Sequence, residues 1–178
     1  MISSWTGRFW TGCVHWWTVM TDPISAPEAR LAAMGLRLPA VPPPVGQFCL
    51  GRTEGGLLFL SGQGPVQEDG RLATGKVGRD VPAEVARQHA ARCALVLIAA
   101  ARAVLGDLDR VRGVVKLLGL VNATDDFARH PFVIDGCSEL LNTVFAEGGP
   151  HARSALGVAS LPGGITVEVE AVLAISAP

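Results

Sequence analysis

Apolar positions along the chain switch between a helical and a strand period, and the switches mark out its elements. Ser25-Ala26-Pro27-Glu28 sets Ser and Glu three apart with Pro in the first turn. That is a capping box, and it predicts a helix from Pro27 to Met34, stopped at Gly35. Pro39-Ala40-Val41-Pro42-Pro43-Pro44 follows as an extended linker, because proline fixes φ and lacks the amide donor a helix needs. Two strands come next, Gln47 to Arg52 and Leu57 to Ser61, joined through Thr53-Glu54-Gly55-Gly56. Asp80 is read as the cap of a long helix, Pro82 to Leu105, ended by Gly106. Its apolar face runs Val85, His89, Cys93, Val96/Leu97, Ala100 and Val104.

Asp107-Leu108-Asp109 turns the chain into a strand over Val111 to Val121. Pro131 opens a second long helix, through about Phe145, with Val133, Cys137, Leu140, Leu141 and Val144 inward. His151 to Ala171 then reads as two strands joined by a turn at Pro162-Gly163-Gly164. The order is β-β-α-β-α-β-β, without a solenoid repeat. It predicts an α/β (α+β) fold, a mixed sheet with both helices on one face. No helix remains for the opposite face, and another subunit is its natural cover.

Composition agrees. Of the 178 residues 49% are hydrophobic and 17% charged, an apolar excess that points to subunit interfaces. No run of 18 apolar residues is free of charges and turn formers, so no membrane-spanning helix is expected. A net charge of −1 with scattered Lys and Arg leaves no basic stripe for nucleic acid. Cys13, Cys49, Cys93 and Cys137 are widely spaced, and the four histidines show no metal-ligand spacing. Gly62-Gln63-Gly64 follows a strand, but Gln67 stands where a dinucleotide fingerprint needs Gly, and no P-loop or nucleophile elbow occurs. All four tryptophans fall between Trp5 and Trp17. Residues 1–19 have no amphipathic period and no signal-peptide pattern, and read as an upstream extension, disordered or spurious, or else an anchor. The expected division is an extension over 1–24, a capped helix and linker over 25–44, and the main domain over 45–178.

Three charges interrupt the last two strands: Arg153, Glu168 and Glu170. Alternation puts Arg153, Ala155, Gly157 and Ala159 on one face, small residues that leave space beside the arginine. Thr166, Glu168, Glu170 and Val172 share a face of the second strand. Either these charges form a solvated face or an internal Arg–Glu pair, or they serve a ligand. A hairpin turning about Pro162-Gly163 sets Glu168 opposite Gly157, roughly 13 Å along the strands from Arg153. In that geometry the two charges meet only across a subunit boundary.

The stretch Ala152-Arg153-Ser154-Ala155-Leu156-Gly157-Val158-Ala159-Ser160-Leu161-Pro162, with Val167-Glu168-Val169-Glu170-Ala171 after it, resembles the C-terminal signature of the RidA/YjgF/YER057c/UK114 family. Leu60-Ser61-Gly62-Gln63-Gly64-Pro65 resembles the family's SGQ-x-P turn, and Gly106-Asp107-Leu108-Asp109-Arg110-Val111 its helix-to-strand junction. The similarity spans about residues 36–175 and is that of a divergent branch. It implies a chorismate-mutase-like fold in a homotrimer, with a central barrel of sheets, outer helices and ligand clefts between subunits. It implies hydrolysis of reactive 2-imino and enamino acids to 2-oxo acids and ammonia, without metal or cofactor.

By the same resemblance Arg153 grips the substrate carboxylate, Glu168 activates water, and Ser61, Gly62 and Ala155 complete the cleft. Glu170 is expected in a structural ion pair or an interface. Two positions depart from the pattern: Phe48 stands where a tyrosine is usual, and Asp135 where an asparagine is. A carboxylate there repels a carboxylate substrate or binds a different, cationic group. Other readings are a non-catalytic carboxylate-binding or regulatory trimer and, from older family labels, an endoribonuclease or translation inhibitor. The implied setting is cytoplasmic, with small metabolites as partners and neither nucleic acid nor membrane.

Overall fold

The computed structural model describes residues 25–177, so the expectations for the 1–24 extension lie outside the described residues. Helix α1 (Ala26–Ala33) begins as the capping box requires: the Ser25 hydroxyl accepts the Glu28 amide at 3.3 Å and donates to the Glu28 carboxylate at 2.9 Å. Strands β1 (Gly51–Glu54) and β2 (Leu57–Gln63) form a hairpin whose two turn residues, Gly55 and Gly56, both take positive φ. That is the turn whose twist matches the strands. The first strand starts later than the alternation suggests, since Gln47 to Leu50 are irregular.

Helix α2 (Ala83–Leu105) ends at Gly106, and strand β3 (Val111–Asn122) follows. Asp80 does not cap α2; its carboxylate instead accepts the Lys76 amide and the Arg79 guanidinium, and Pro82 occupies the cap position without a side-chain bond. Helix α3 (His130–Val144) connects β3 to β4 (Ala152–Val158), and β5 (Val167–Ile175) closes the fold.

The sheet order is β1-β2-β5-β3-β4, with β3 and β4 parallel and every other pair antiparallel. The expected hairpin of the last two strands is therefore absent. Parallel neighbours need a crossover, which α3 supplies, so β4 takes the outer edge of β3. After β4 the chain passes the end of β3, held by Thr166 N to Ala73 O (3.1 Å) and Asn122 N to Thr166 O (2.9 Å), and β5 enters between β2 and β3. Alternation is the same for either pairing, so the sequence pattern does not choose between them.

Helices α2 and α3 cover one face. Leu58, Leu117, Val121, Val167, Val169 and Leu173 of the sheet pack with Ala90, Cys93, Leu97, Val133, Cys137 and Leu141 of the helices in one cluster. Val85, expected inward, is exposed, because the buried stripe of α2 runs through Ala86, Ala90 and Ala94 instead. By length and composition α2 is apolar enough to cross a membrane, but this packing accounts for that composition. The helices approach to backbone contact: a Cβ on Gly136 of α3 would lie 3.0 Å from the Arg87 carbonyl carbon of α2 and closer still to its oxygen.

No described helix covers the opposite face. It carries Phe59, Leu118, Leu120, Leu156 and Val172 together with Lys116, Glu168 and Glu170, paired across the strands. Phe59 is 45% exposed and Leu156 52%, more than an apolar side chain inside a core retains.

Candidate functional site

The residues singled out in the sequence separate into two groups. The first is built where α3 lies over the edge strand β4. Asp135 and Ser138, three apart on α3, project from one helix face towards β4. Arg153 rises from β4 on the helix side, in register with Leu117 of β3 and, across it, Ala171 of β5. Its NH1 donates to Asp135 Oδ1 at 2.8 Å and to Ser138 Oγ at 2.9 Å, and NH2 reaches the Pro131 carbonyl at 3.4 Å. The internal partner of Arg153 is thus an aspartate on a helix rather than a glutamate on the next strand.

Ser138 is also within 3.0 Å of His151 Nε2, whose Nδ1 lies 3.1 Å from Asn142 Oδ1. Burial and the Arg153 charge push the His151 imidazole below its ordinary pKa, which favours the neutral ring. A neutral ring with its proton on Nδ1 gives to Asn142 and accepts from Ser138, leaving the serine oxygen free to accept from Arg153. Beyond Arg153 the same face of β4 carries Ala155 and Gly157. The His130 imidazole lies directly over Gly157, where a Cβ would collide with its Nε2.

The second group surrounds a cavity of about 510 Å³ beside the uncovered face. Phe48, Ser61, Gly62, Glu168 and Glu170 line it, with Pro43 of the linker and Ile165 as apolar walls. The Ser61 hydroxyl donates to the Cys49 carbonyl at 2.7 Å, and Gln63 Nε2 donates to the Ser61 carbonyl at 3.2 Å, which fixes the turn. Gly62 touches the Glu168 carboxylate: a Cβ there would sit 3.0 Å from Glu168 Cδ. Glu168 is half-buried, and burial, reinforced by the Glu170 charge, raises its carboxyl above the ordinary value. Glu170 forms no ion pair among the described residues; its carboxylate stands exposed beside Glu168. Phe48, half exposed, offers an apolar ring and no hydroxyl.

Arg153 and Glu168 do not meet within the chain. Glu168 is paired with Leu120, three positions along β3 from Leu117, and three is an odd step. The two charges accordingly point to opposite faces of the sheet with β3 between them. The separation expected from the hairpin holds, but for a different reason.

Sequence reasoning missed Ser138, His151 and His130. Ser138 was within reach of it, being three residues from Asp135 on a helix. Among the described residues no three His, Cys, Asp or Glu side chains converge as a metal site. A larger groove, about 700 Å³ under Met34 to Arg37 on the helical surface, holds none of the candidate residues.

Residues 28–167 match the model of the YjgF/chorismate mutase-like endoribonuclease family. Protein TCP17 of Trypanosoma cruzi is 39% identical over 149 residues, which are 83% of this chain and 93% of that protein. A crystal structure of a protein of unknown function from Agrobacterium tumefaciens is 40% identical, with a TM-score of 0.77 over 85% of this chain and 94% of its own. The crystal structure of E. coli TdcF with bound serine is 27% identical, with a TM-score of 0.51 over 76% of this chain and 94% of its own.

Proposed function

The chain belongs to the YjgF/chorismate mutase-like family, and on that premise we propose that it is an enamine/imine deaminase acting on small 2-imino and enamino acids. The observation that carries the reading is the division of the candidate residues into two complementary halves. One holds a cationic fork (Arg153) and the other a half-buried carboxylate in an apolar cavity (Glu168). In this reading Arg153 takes the substrate carboxylate. Glu168 takes a proton from water as its oxygen bonds to the imine carbon, and the nitrogen gains a proton in the tetrahedral adduct. The C–N bond then breaks as the hydroxyl proton passes to the nitrogen, and a 2-oxo acid and ammonia leave. The raised Glu168 carboxyl suits a base that must also give its proton back.

The halves join in a homotrimer, Arg153 and Glu168 coming from neighbouring chains. Support comes from their opposite orientations and from the uncovered sheet face with Phe59 and Leu156 exposed. A trimer acting on metabolites agrees with a cytoplasmic setting.

A second reading, a non-catalytic trimer that binds a small carboxylate, is favoured by one observation: Arg153 is already paired with Asp135, which weakens its hold on an anion. The endoribonuclease label finds less support, since Glu168 and Glu170 side by side repel a phosphodiester.

An oxidase-coupled assay with 2-iminopropionate tests the proposal. Arg153→Ala is expected to cut kcat/KM by about 100-fold or more, the worth of a charged bidentate contact. Equal rates in the two proteins remove Arg153 from the mechanism. Tight binding of pyruvate without turnover establishes the binding module instead. A monomer mass by light scattering at micromolar concentration eliminates the shared site.

A further inference from the structure

Arg153 and Asp135 leave unspent hydrogen-bonding capacity on adjacent atoms. Arg153 spends NH1 on Asp135 and Ser138 and reaches Pro131 only weakly through NH2, at 3.4 Å; its Nε bonds to nothing among the described residues. A guanidinium has five donors in a fixed fork, so its Nε–NH2 edge still suits one carboxylate. Asp135 commits one oxygen, Oδ1, to Arg153. The other, Oδ2, has Arg87 NH1 at 3.9 Å. That guanidinium is engaged elsewhere, by Glu139 at 2.5 Å and the Phe132 carbonyl at 3.3 Å. The Asp135 side chain is 40% exposed, so acceptor capacity remains on a carboxylate that a ligand can reach.

A site meant for a lone carboxylate gains from an uncompensated arginine. Here the arginine is accompanied by a fixed negative charge whose second oxygen lacks a close partner. A ligand whose sole charge is its carboxylate meets that charge as repulsion and leaves Oδ2 unused. A ligand with a carboxylate and a cation satisfies both residues.

We propose that Asp135 sets the substrate class of this site: 2-imino acids whose side chain ends in a fixed cation, the carboxylate held on Arg153 and the cation on Asp135 Oδ2. The chemistry of the step rests on the deaminase reading; the recognition does not. Asp135 thereby slows neutral side chains relative to cationic ones without excluding them.

The test uses two imines of similar chain length, made in situ by an amino-acid oxidase from arginine and norleucine: 2-imino-5-guanidinopentanoate and 2-iminohexanoate. A guanidinium is chosen because a primary amine of this length would cyclise on the imine carbon. The wild-type chain is expected to favour the guanidino imine in kcat/KM by about tenfold or more. Asp135→Asn is expected to bring the ratio close to unity, losing on the cationic imine and gaining on the neutral one. Equal preference in the wild type, preference for 2-iminohexanoate, or an unchanged ratio in Asp135→Asn overturns the proposal. If Asp135→Asn does not fold, the wild-type ratio alone decides.

Calorimetry with 2-oxo-5-guanidinopentanoate and 2-oxohexanoate separates recognition from chemistry. If the wild type turns over neither imine, the deaminase reading fails. Tighter binding of the guanidino acid that Asp135→Asn abolishes then sustains the recognition, and equal or no binding ends it.

Discussion

Gly62→Ala offers a perturbation whose consequences are set by one contact. Gly62 is not among the residues with positive φ, so the backbone accepts alanine there, and the effect must come from what its Cβ meets. That atom would stand 3.0 Å from Glu168 Cδ and 3.1 Å from Cγ, against an optimal carbon separation of about 3.5–4.0 Å. Glu168 Oε1 would lie closer still, so either the backbone of β2 gives way or the Glu168 side chain swings aside by about 1 Å or more.

The two outcomes differ in what is measured. Backbone strain from overpacking costs about 1–3 kcal/mol. At about 2–4 °C per kcal/mol for a chain of this size, Tm would fall by roughly 2–12 °C. A swinging carboxylate costs the fold little but misplaces the proposed base, and a displacement near 1 Å lowers rates by about 100-fold. Glu168 is half-buried on a flexible side chain, so the second outcome is expected: Tm within about 2 °C of wild type and kcat/KM down by about 100-fold. Thermal unfolding at fixed protein concentration and initial rates with 2-iminopropionate decide it. An alanine variant with near-normal rate would refute the reasoning, because the carboxylate would then be tolerating a displacement that the proposed chemistry forbids.

Two further outcomes are expected. Burial raises the Glu168 carboxyl, so the folded chain binds this proton more tightly than the unfolded one, and stability falls as pH rises from the ordinary glutamate range through the raised value. Glu168→Gln should therefore unfold at a higher temperature than wild type at pH 8 while losing activity, with the gap closing below about pH 4; a gap that grows in acid contradicts the assignment. Leu117→Ala removes a side chain with no exposed surface, between Arg153 and Ala171 in the sheet, and should cost about 2–5 kcal/mol by denaturant unfolding, whereas a loss under about 1 kcal/mol would mean the core refills the space.

The helices were legible because local signals wrote them. Ser25 with Glu28, Pro131 at the start of α3 and Gly106 after α2 each act within one turn of chain. All the strands were legible as strands, and β1 and β2 as neighbours through their Gly55-Gly56 turn, but the partner of β4 was not, since the alternation of Ala152–Val158 is satisfied equally beside β5 or beside β3. Asp80 misled for a related reason: its carboxylate found the Lys76 amide four residues back rather than the helix ahead. The site divides along the same line. Phe48, Ser61, Gly62 and Glu168 line one cavity, while Arg153, Asp135 and Ala155 lie elsewhere in the chain. That Arg153 would turn towards α3, and towards Asp135, depends on which side of the sheet the helices occupy, and no residue in β4 encodes that.

The backbone contact at Gly136 bears on how such a site can change over generations. Gly136 lies between Asp135 and Ser138, the two α3 residues that hold Arg153, and its missing side chain is what lets α3 rest on the Arg87 carbonyl of α2. A larger residue there would lift the helix and carry both contacts away together. Helix α3 is therefore a fixed rail, and drift in ligand preference is confined to exchanging the groups mounted on it. In the proposed site a substitution at position 135 changes the group offered to a ligand while leaving the height of α3 untouched. New specificities are thus reachable one substitution at a time, without the fold having to move first.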